Sequence, residues 1–336
     1  MVYGPIQQRD LDMVREFNGA SSLSGTNKAF SIWKMDSLNA IIVSVRGTAS
    51  MADHMVNLNS EIGDASSVMN IPSGISAHRG FLTCAKSLLS VIRSELEKLV
   101  ASDASFTQVL FTGHSAGGAV SSLLFLNLAF NPLPRAPHIT TSLITFGSAP
   151  ALSENMSDLI RKIPNIGTVL AIVNEYDMVP RADKTYIQSL IDLYRSKYGL
   201  SRAGTDPGEV HGSGLPSPIM PGSVDRSTWP LPKPMYYLLG DIVISKSFPH
   251  TSPISTADSA SDLTARPSLS YRMFRVSQDQ FSSYLFCGLG VHKRRIYLER
   301  IRSSLGAEPY SWSDSATLRT VGSQHTSLSS GTAQTA

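Results

Sequence analysis

Two kinds of hydrophobic spacing take turns along this chain. Ala29–Lys34 and Ala40–Val45 are short apolar segments of strand length, the second nearly all apolar and so expected to be buried on both faces. Ala49–Gly74 is a Met- and Asn-rich connection without clear sheet character. Phe81, Cys84, Leu88, Ile92, Leu96 and Leu99 then recur at three- and four-residue intervals, which predicts an amphipathic helix over about 81–100. A strand at 108–112, a helix at 116–130, a strand at Ser142–Phe146, a helix near 153–163 and a strand at Thr168–Val173 follow. Tyr236–Ile244 reads as a returning strand. Val291–Ile301 reads as a helix with Ile296, Tyr297 and Ile301 on one side. Strands alternating with helices predict the α/β class, a mostly parallel central sheet flanked by helices.

The intervening stretches change character. Residues 199–234 are rich in Gly, Pro and Ser and predict a long loop or insertion, and 251–268 is a second Ser/Thr/Pro-rich loop. From about 304 the chain is Ser/Thr-rich and expected to be disordered, leaving one domain over 1–303 and a tail over 304–336.

Composition narrows the function. A chain of 336 residues, 42% hydrophobic and 16% charged, builds a sizeable core. A net charge of +3 gives no case for nucleic acid, and the one basic cluster, Lys293-Arg294-Arg295, reads as a solvated helix face. Cys84 and Cys287 are too few for a disulfide framework or a cysteine zinc site and are expected to be small core residues. The longest apolar run, Gly117 to Phe130, is broken by Ser121, Ser122 and Asn127, so no transmembrane segment is expected. The N-terminus as written has no apolar signal core, so a soluble, intracellular location is expected; a start placed further upstream would admit secretion.

Chemistry concentrates at Gly113-His114-Ser115-Ala116-Gly117. Composition alone would supply a bare G-x-S-x-G about 0.2 times in such a chain. Here an apolar strand precedes the pattern and a small-residue helix follows, the setting of a nucleophile elbow. A serine on so sharp a turn leaves no room for side chains two residues to either side, which is the reason for Gly113 and Gly117. The helix that starts there points N–H groups toward a developing oxyanion.

An acyl-transfer serine needs a carboxylate and a base, which follow such an elbow in that chain order. Asp177 lies just past a buried-type strand, on the rim where open α/β sheets bind ligands, with Glu175 as the nearby alternative. His211, His250, His292 and His325 are the candidate bases. His292, at the mouth of a helix after a short glycine loop, is favoured over His250, which follows a strand. Ala116 N–H is one expected oxyanion donor. Thr48, after the strand ending Val45-Arg46-Gly47, is the expected second, although a plain strand-end turn reads similarly. No His/Cys/carboxylate cluster has metal-ligand spacing and no phosphate loop is present, so neither metal nor cofactor is expected.

Together these segments resemble the class 3 lipase family, the fungal triacylglycerol lipase-like α/β-hydrolases. The residues that carry the resemblance are Val45-Arg-Gly-Thr48, His78-Arg-Gly-Phe81, Thr112-Gly-His-Ser-Ala-Gly-Gly118, Thr145-Phe-Gly-Ser148, Asp177-Met-Val-Pro-Arg181 and Val291-His292 through Tyr297-Leu-Glu-Arg300, in the family's order over about 28–302. The resemblance implies an α/β-hydrolase fold and a serine hydrolase of lipid esters. It implies a Ser115, Asp177 and His292 triad, oxyanion donors at Thr48 and Ala116, and a lid within about Ala49–Leu58. A Met-rich lid there, with Met51, Met55, Val56 and Leu58 as its apolar face, competes with a surface helix packed on the core. The implied substrate is a lipid ester met at a lipid–water interface, most simply an acylglycerol, with phospholipase and feruloyl-type esterase as variants. A lipase-like scaffold that binds without turnover is the reading from another class. The sequence departs from the secreted fungal lipases in its short N-terminal region, its lack of their disulfides and signal, and its long insertion before the histidine.

Overall fold

The computed structural model describes residues 11–17, 28–47, 61–200, 229–249 and 269–306. The expected lid at Ala49–Leu58, most of the 199–234 insertion, the 251–268 loop and the tail lie outside these residues. So do Thr48, His211, His250 and His325.

Eight strands form the central sheet, in the order β1 (Leu11–Phe17), β2 (Phe30–Met35), β3 (Ala40–Val45), β6 (Gln108–His114), β7 (Thr140–Phe146), β8 (Ile166–Asn174), β9 (Asp241–Pro249) and β10 (Leu269–Val276). From β3 to β9 neighbouring strands are parallel, while β1, β2 and β10 are antiparallel additions at the edges. A two-stranded ribbon, β4 (Ile62–Asp64) with β5 (Ser76–His78), stands apart. This is the mostly parallel central sheet, flanked by helices, that the alternation of strands and helices predicts.

Helix Arg79–Ser102 buries Phe81, Cys84, Leu88, Ile92, Leu96 and Leu99, the stripe its spacing predicts. Helix Ala116–Phe130 behaves differently. It buries every residue but Phe130, because it lies against β6 and β7 and beneath the longer helix. A helix covered all round needs no polar face, which is why its sequence is a nearly continuous apolar run. Leu123, Leu124, Phe125 and Leu126 are each at most 1% exposed there, and full burial of such a side chain contributes about 1.5–3 kcal/mol. That burial fixes the helix, and with it the turn at its start.

Several boundaries differ from the sequence expectation. The helix near 153–163 is the single turn Ser157–Ile160, and the strand expected at Tyr236–Ile244 is Asp241–Pro249. The helix expected at Val291 begins at Arg294, after a 3-10 turn at Gly290–His292. Cys84 is buried, but Cys287 is exposed, because the loop carrying it turns Phe286 inward instead. Among the described residues no helix is long and apolar enough to cross a membrane.

Candidate active site

The elbow is built by backbone crowding. Strand β6 ends at His114 and the helix begins at Ala116, so Ser115 makes the whole turn, at φ 59° and ψ −132°. Its N–H donates to Phe146 O (3.1 Å) on β7. A β-carbon on Gly113 would lie 2.5 Å from the Gly117 carbonyl, and one on Gly117 would lie 2.3 Å from Val45 O. Neither distance tolerates a side chain, so both expected elbow glycines are required by contact. Gly47 joins them, since a β-carbon there would lie 2.6 Å from His114 O. The end of β3 and the elbow therefore touch backbone to backbone. Ala116 opens the helix, where a first-turn N–H has no intrahelical acceptor.

The structure brings Ser115, His292 and Asp177 together. Ser115 Oγ donates to His292 Nε2 at 2.9 Å, and His292 Nδ1 donates to Asp177 Oδ2 at 2.8 Å. The Asp177 carboxylate is fully buried and the His292 ring is 17% exposed, an interior anion behind a histidine that reaches the surface. The other Asp177 oxygen accepts from Val179 N at 3.0 Å. Glu175, the alternative acid, is committed elsewhere: it accepts from Ser247 N and pairs with Lys246 on β9.

Two residues that sequence reasoning missed complete the arrangement. The Tyr297 hydroxyl donates to Asp177 Oδ2 at 2.6 Å and accepts from Asn174 N at 3.0 Å. Burial, then the neighbouring Asp177 charge, raises the Tyr297 hydroxyl well above its ordinary pKa, so it stays a donor. His114 Nε2 donates to the His292 carbonyl at 2.7 Å, and the two rings lie 4.6 Å apart. Burial, then the adjacent His292, lowers His114 to about 4, so it is neutral near pH 7. His114 sat inside the elbow pattern and Tyr297 on the predicted helix face. Neither position announces that its polar atom points at the site.

The loops bearing acid and base are laced together. Gly288 N donates to Tyr176 O, Met178 N to Gly288 O, and Asn174 Nδ2 to Val291 O. Arg181 is buried, donating to Phe281 O and Tyr284 O while its guanidinium lies 4.4 Å from the Tyr186 ring centre. The Asp-x-Val-Pro-Arg segment thus holds the acid at one end and the approach to the histidine loop at the other. Chemically, the arrangement offers a hydroxyl with an in-line base, an anion to orient that base, and a helix N-terminus beside the oxygen. Among the described residues no group of His, Cys, Asp and Glu has the arrangement of a metal site.

Residues 42–186 match the family model for class 3 lipases, a span that includes Ser115 and Asp177 and stops short of His292. Similar solved structures include a lipase from Rhizopus microsporus var. chinensis, 20% identical with a TM-score of 0.43 over 52% of this chain and 57% of that one. A triacylglycerol lipase from Penicillium expansum is 22% identical, with a TM-score of 0.42 over 51% and 62%. The triacylglyceride lipase of Rhizomucor miehei is 21% identical, with a TM-score of 0.44 over 53% and 62%. The matched part of the chain spans less than two thirds of each of these proteins.

Proposed function

We propose that this chain, whose residues 42–186 match the class 3 lipase family model, is a lipase-type hydrolase that works by serine acyl transfer on carboxylic esters of lipids, with neutral acylglycerols as the substrate class. The observation that carries the reading is the continuous Ser115–His292–Asp177 hydrogen-bonded chain at 2.9 and 2.8 Å. His292 takes the Ser115 proton as Oγ attacks the ester carbonyl, and returns it to the leaving alcohol. Asp177 fixes the tautomer that leaves Nε2 free to accept and stabilises the imidazolium that forms. Tyr297 and Val179 N–H hold the carboxylate, and His114 holds the backbone of the base. The tetrahedral oxyanion is met by Ala116 N–H and by Thr48, and water then hydrolyses the acyl-enzyme by the same route in reverse.

Labelling with a fluorophosphonate probe tests this. Wild type should label, whereas Ser115→Ala and His292→Ala should not, and His250→Ala should label like wild type. An unlabelled wild type overturns the enzyme reading, and normal labelling of His292→Ala with loss in His250→Ala overturns the choice of base. A panel of emulsified acylglycerols and phospholipids with one acyl chain then separates the substrate classes.

A further inference from the structure

The antiparallel hairpin of β9 and β10 has two unlike faces. On one, helix Arg294–Ser304 packs against β10, with Arg300 donating to Ser245 O and lying 5.2 Å from the Tyr271 ring centre. The other face looks into a cleft of about 690 Å³. Ile244, Phe248 and Phe274 line the hairpin side of it, and Tyr176, Tyr284 and Phe286 line the opposite wall. The rings on that wall are mutually packed: Tyr284 stacks on Phe286 at 5.9 Å, and Tyr176 meets Phe286 edge-on at 6.4 Å. Phe274 and Tyr176 are 43% and 54% exposed, large apolar surfaces left open in a concave place.

The polar groups of this cleft have one sign in excess. Lys246 and Arg272 sit directly opposite each other across the hairpin. Like charges in that position destabilise a sheet. Glu175, at 3.6 Å from Lys246, offsets part of it and also serves Ser247 N. Among the described residues no carboxylate lies within ion-pair distance of Arg272, whose guanidinium lies over the Phe248 ring instead (5.2 Å). Arg275 is already paired, with Asp241. An aromatic-walled cleft with a doubled cation at its edge has the character of a small-ligand site, apolar in body and with few, convergent polar groups. The volume also falls within the range of such sites, about 300–1,000 Å³.

We propose that this cleft binds a single-chain anionic lipid, its acyl chain against Phe248, Phe274 and Phe286 and its carboxylate or phosphate head between Lys246 and Arg272. Ester hydrolysis at Ser115 would supply such a carboxylate; only that source rests on the function proposed above, and the binding itself does not. The site is distinct from the nucleophile, since none of its lining residues belongs to the triad or the elbow.

Equilibrium binding to the full chain tests it, with oleate and oleoyl lysophosphatidate as anionic probes and oleyl alcohol as the neutral one. Oleate should bind saturably, at least tenfold more tightly than the alcohol. It should still bind after Ser115 has been blocked with fluorophosphonate, and lose at least tenfold in affinity in Lys246→Glu/Arg272→Glu. Should that double variant fail to fold, the acid-to-alcohol ratio on wild type and its decline with salt decide the matter. Binding of lysophosphatidate alone assigns a phosphate head, and binding of both assigns a general anion site. Absent saturable binding, equal affinity for the alcohol, or loss of binding on blocking Ser115 each overturns the proposal. Fluorophosphonate labelling that persists while neither oleate nor lysophosphatidate binds separates failure here from failure of the esterase reading.

Discussion

Tyr297 and His292 donate to the same oxygen of Asp177, at 2.6 and 2.8 Å. That oxygen is buried, so both hydrogen bonds act on a charge that water does not reach. Tyr297→Phe keeps the ring and removes one donor, leaving Asn174 N–H without the hydroxyl as acceptor. A hydrogen bond to a charged group contributes about 1.5–3 kcal/mol, so denaturant unfolding should show a loss of that order. Hydrolysis should fall about tenfold, the equivalent of roughly 1.4 kcal/mol in the barrier. Unchanged turnover would mean that Tyr297 serves packing alone.

Asp177→Asn changes little in shape and much in proton position. An amide presents an N–H or a carbonyl to His292, so the tautomer with Nε2 free is no longer selected. Turnover should drop on the order of 10⁴-fold, the scale found when a triad acid is made an amide elsewhere. A steady-state assay at neutral pH is enough, and a loss below tenfold would remove Asp177 from the mechanism.

Gly117→Ala puts a methyl group 2.3 Å from Val45 O. The strand end or the elbow has to move, and either displaces Ser115. We expect the soluble variant to be destabilised and to label poorly with fluorophosphonate. Normal labelling and an unchanged melting temperature would contradict the backbone contact itself.

The depressed pKa of His114 has a definite sign for stability. The folded protein holds it neutral down to about 4, while the unfolded chain binds the proton from about 6.5 downward. Between those values the unfolded state carries more protons, so this contribution to stability is complete above about 6.5 and is lost as pH falls toward 4. His114→Gln retains a donor for the His292 carbonyl and cannot titrate. The gap in Tm between wild type and this variant should therefore narrow as pH drops through that window. A constant gap would show that His114 titrates alike in both states.

Much of the fold was legible because its signals were redundant. The helix Arg79–Ser102 had a complete apolar stripe, and the elbow had strand, glycines and helix in series. What escaped notice lacks a clean period. β10, Leu269–Val276, puts Arg272 and Phe274 on a cleft face and Tyr271 under a helix, so neither polar nor apolar residues alternate. Helix Lys184–Lys197 buries only Tyr186, leaving Ile191 and Tyr194 in the open, and its spacing carries little burial to reveal it. In the site, Ser115 was readable from neighbours in sequence. Asp177 and His292 depended on their position after a strand and before a helix, and the structure joins both to Ser115. Tyr297 and His114 act through hydrogen bonds to groups more than a hundred residues away in the chain, which no local pattern encodes.

At φ 59° and ψ −132°, Ser115 occupies backbone space that penalises a β-carbon. Such a residue costs on the order of 1–3 kcal/mol, which glycine would not incur. Ser115→Gly should then melt above wild type, even after glycine's own entropic cost of about 0.5–1 kcal/mol. Calorimetry showing the variant at or below the wild-type Tm would mean the turn is unstrained. With Ser115 as the nucleophile of the proposed function, position 115 is one where durability and turnover are selected in opposite directions, and an inactive descendant of this protein would be expected to drift toward the tougher residue.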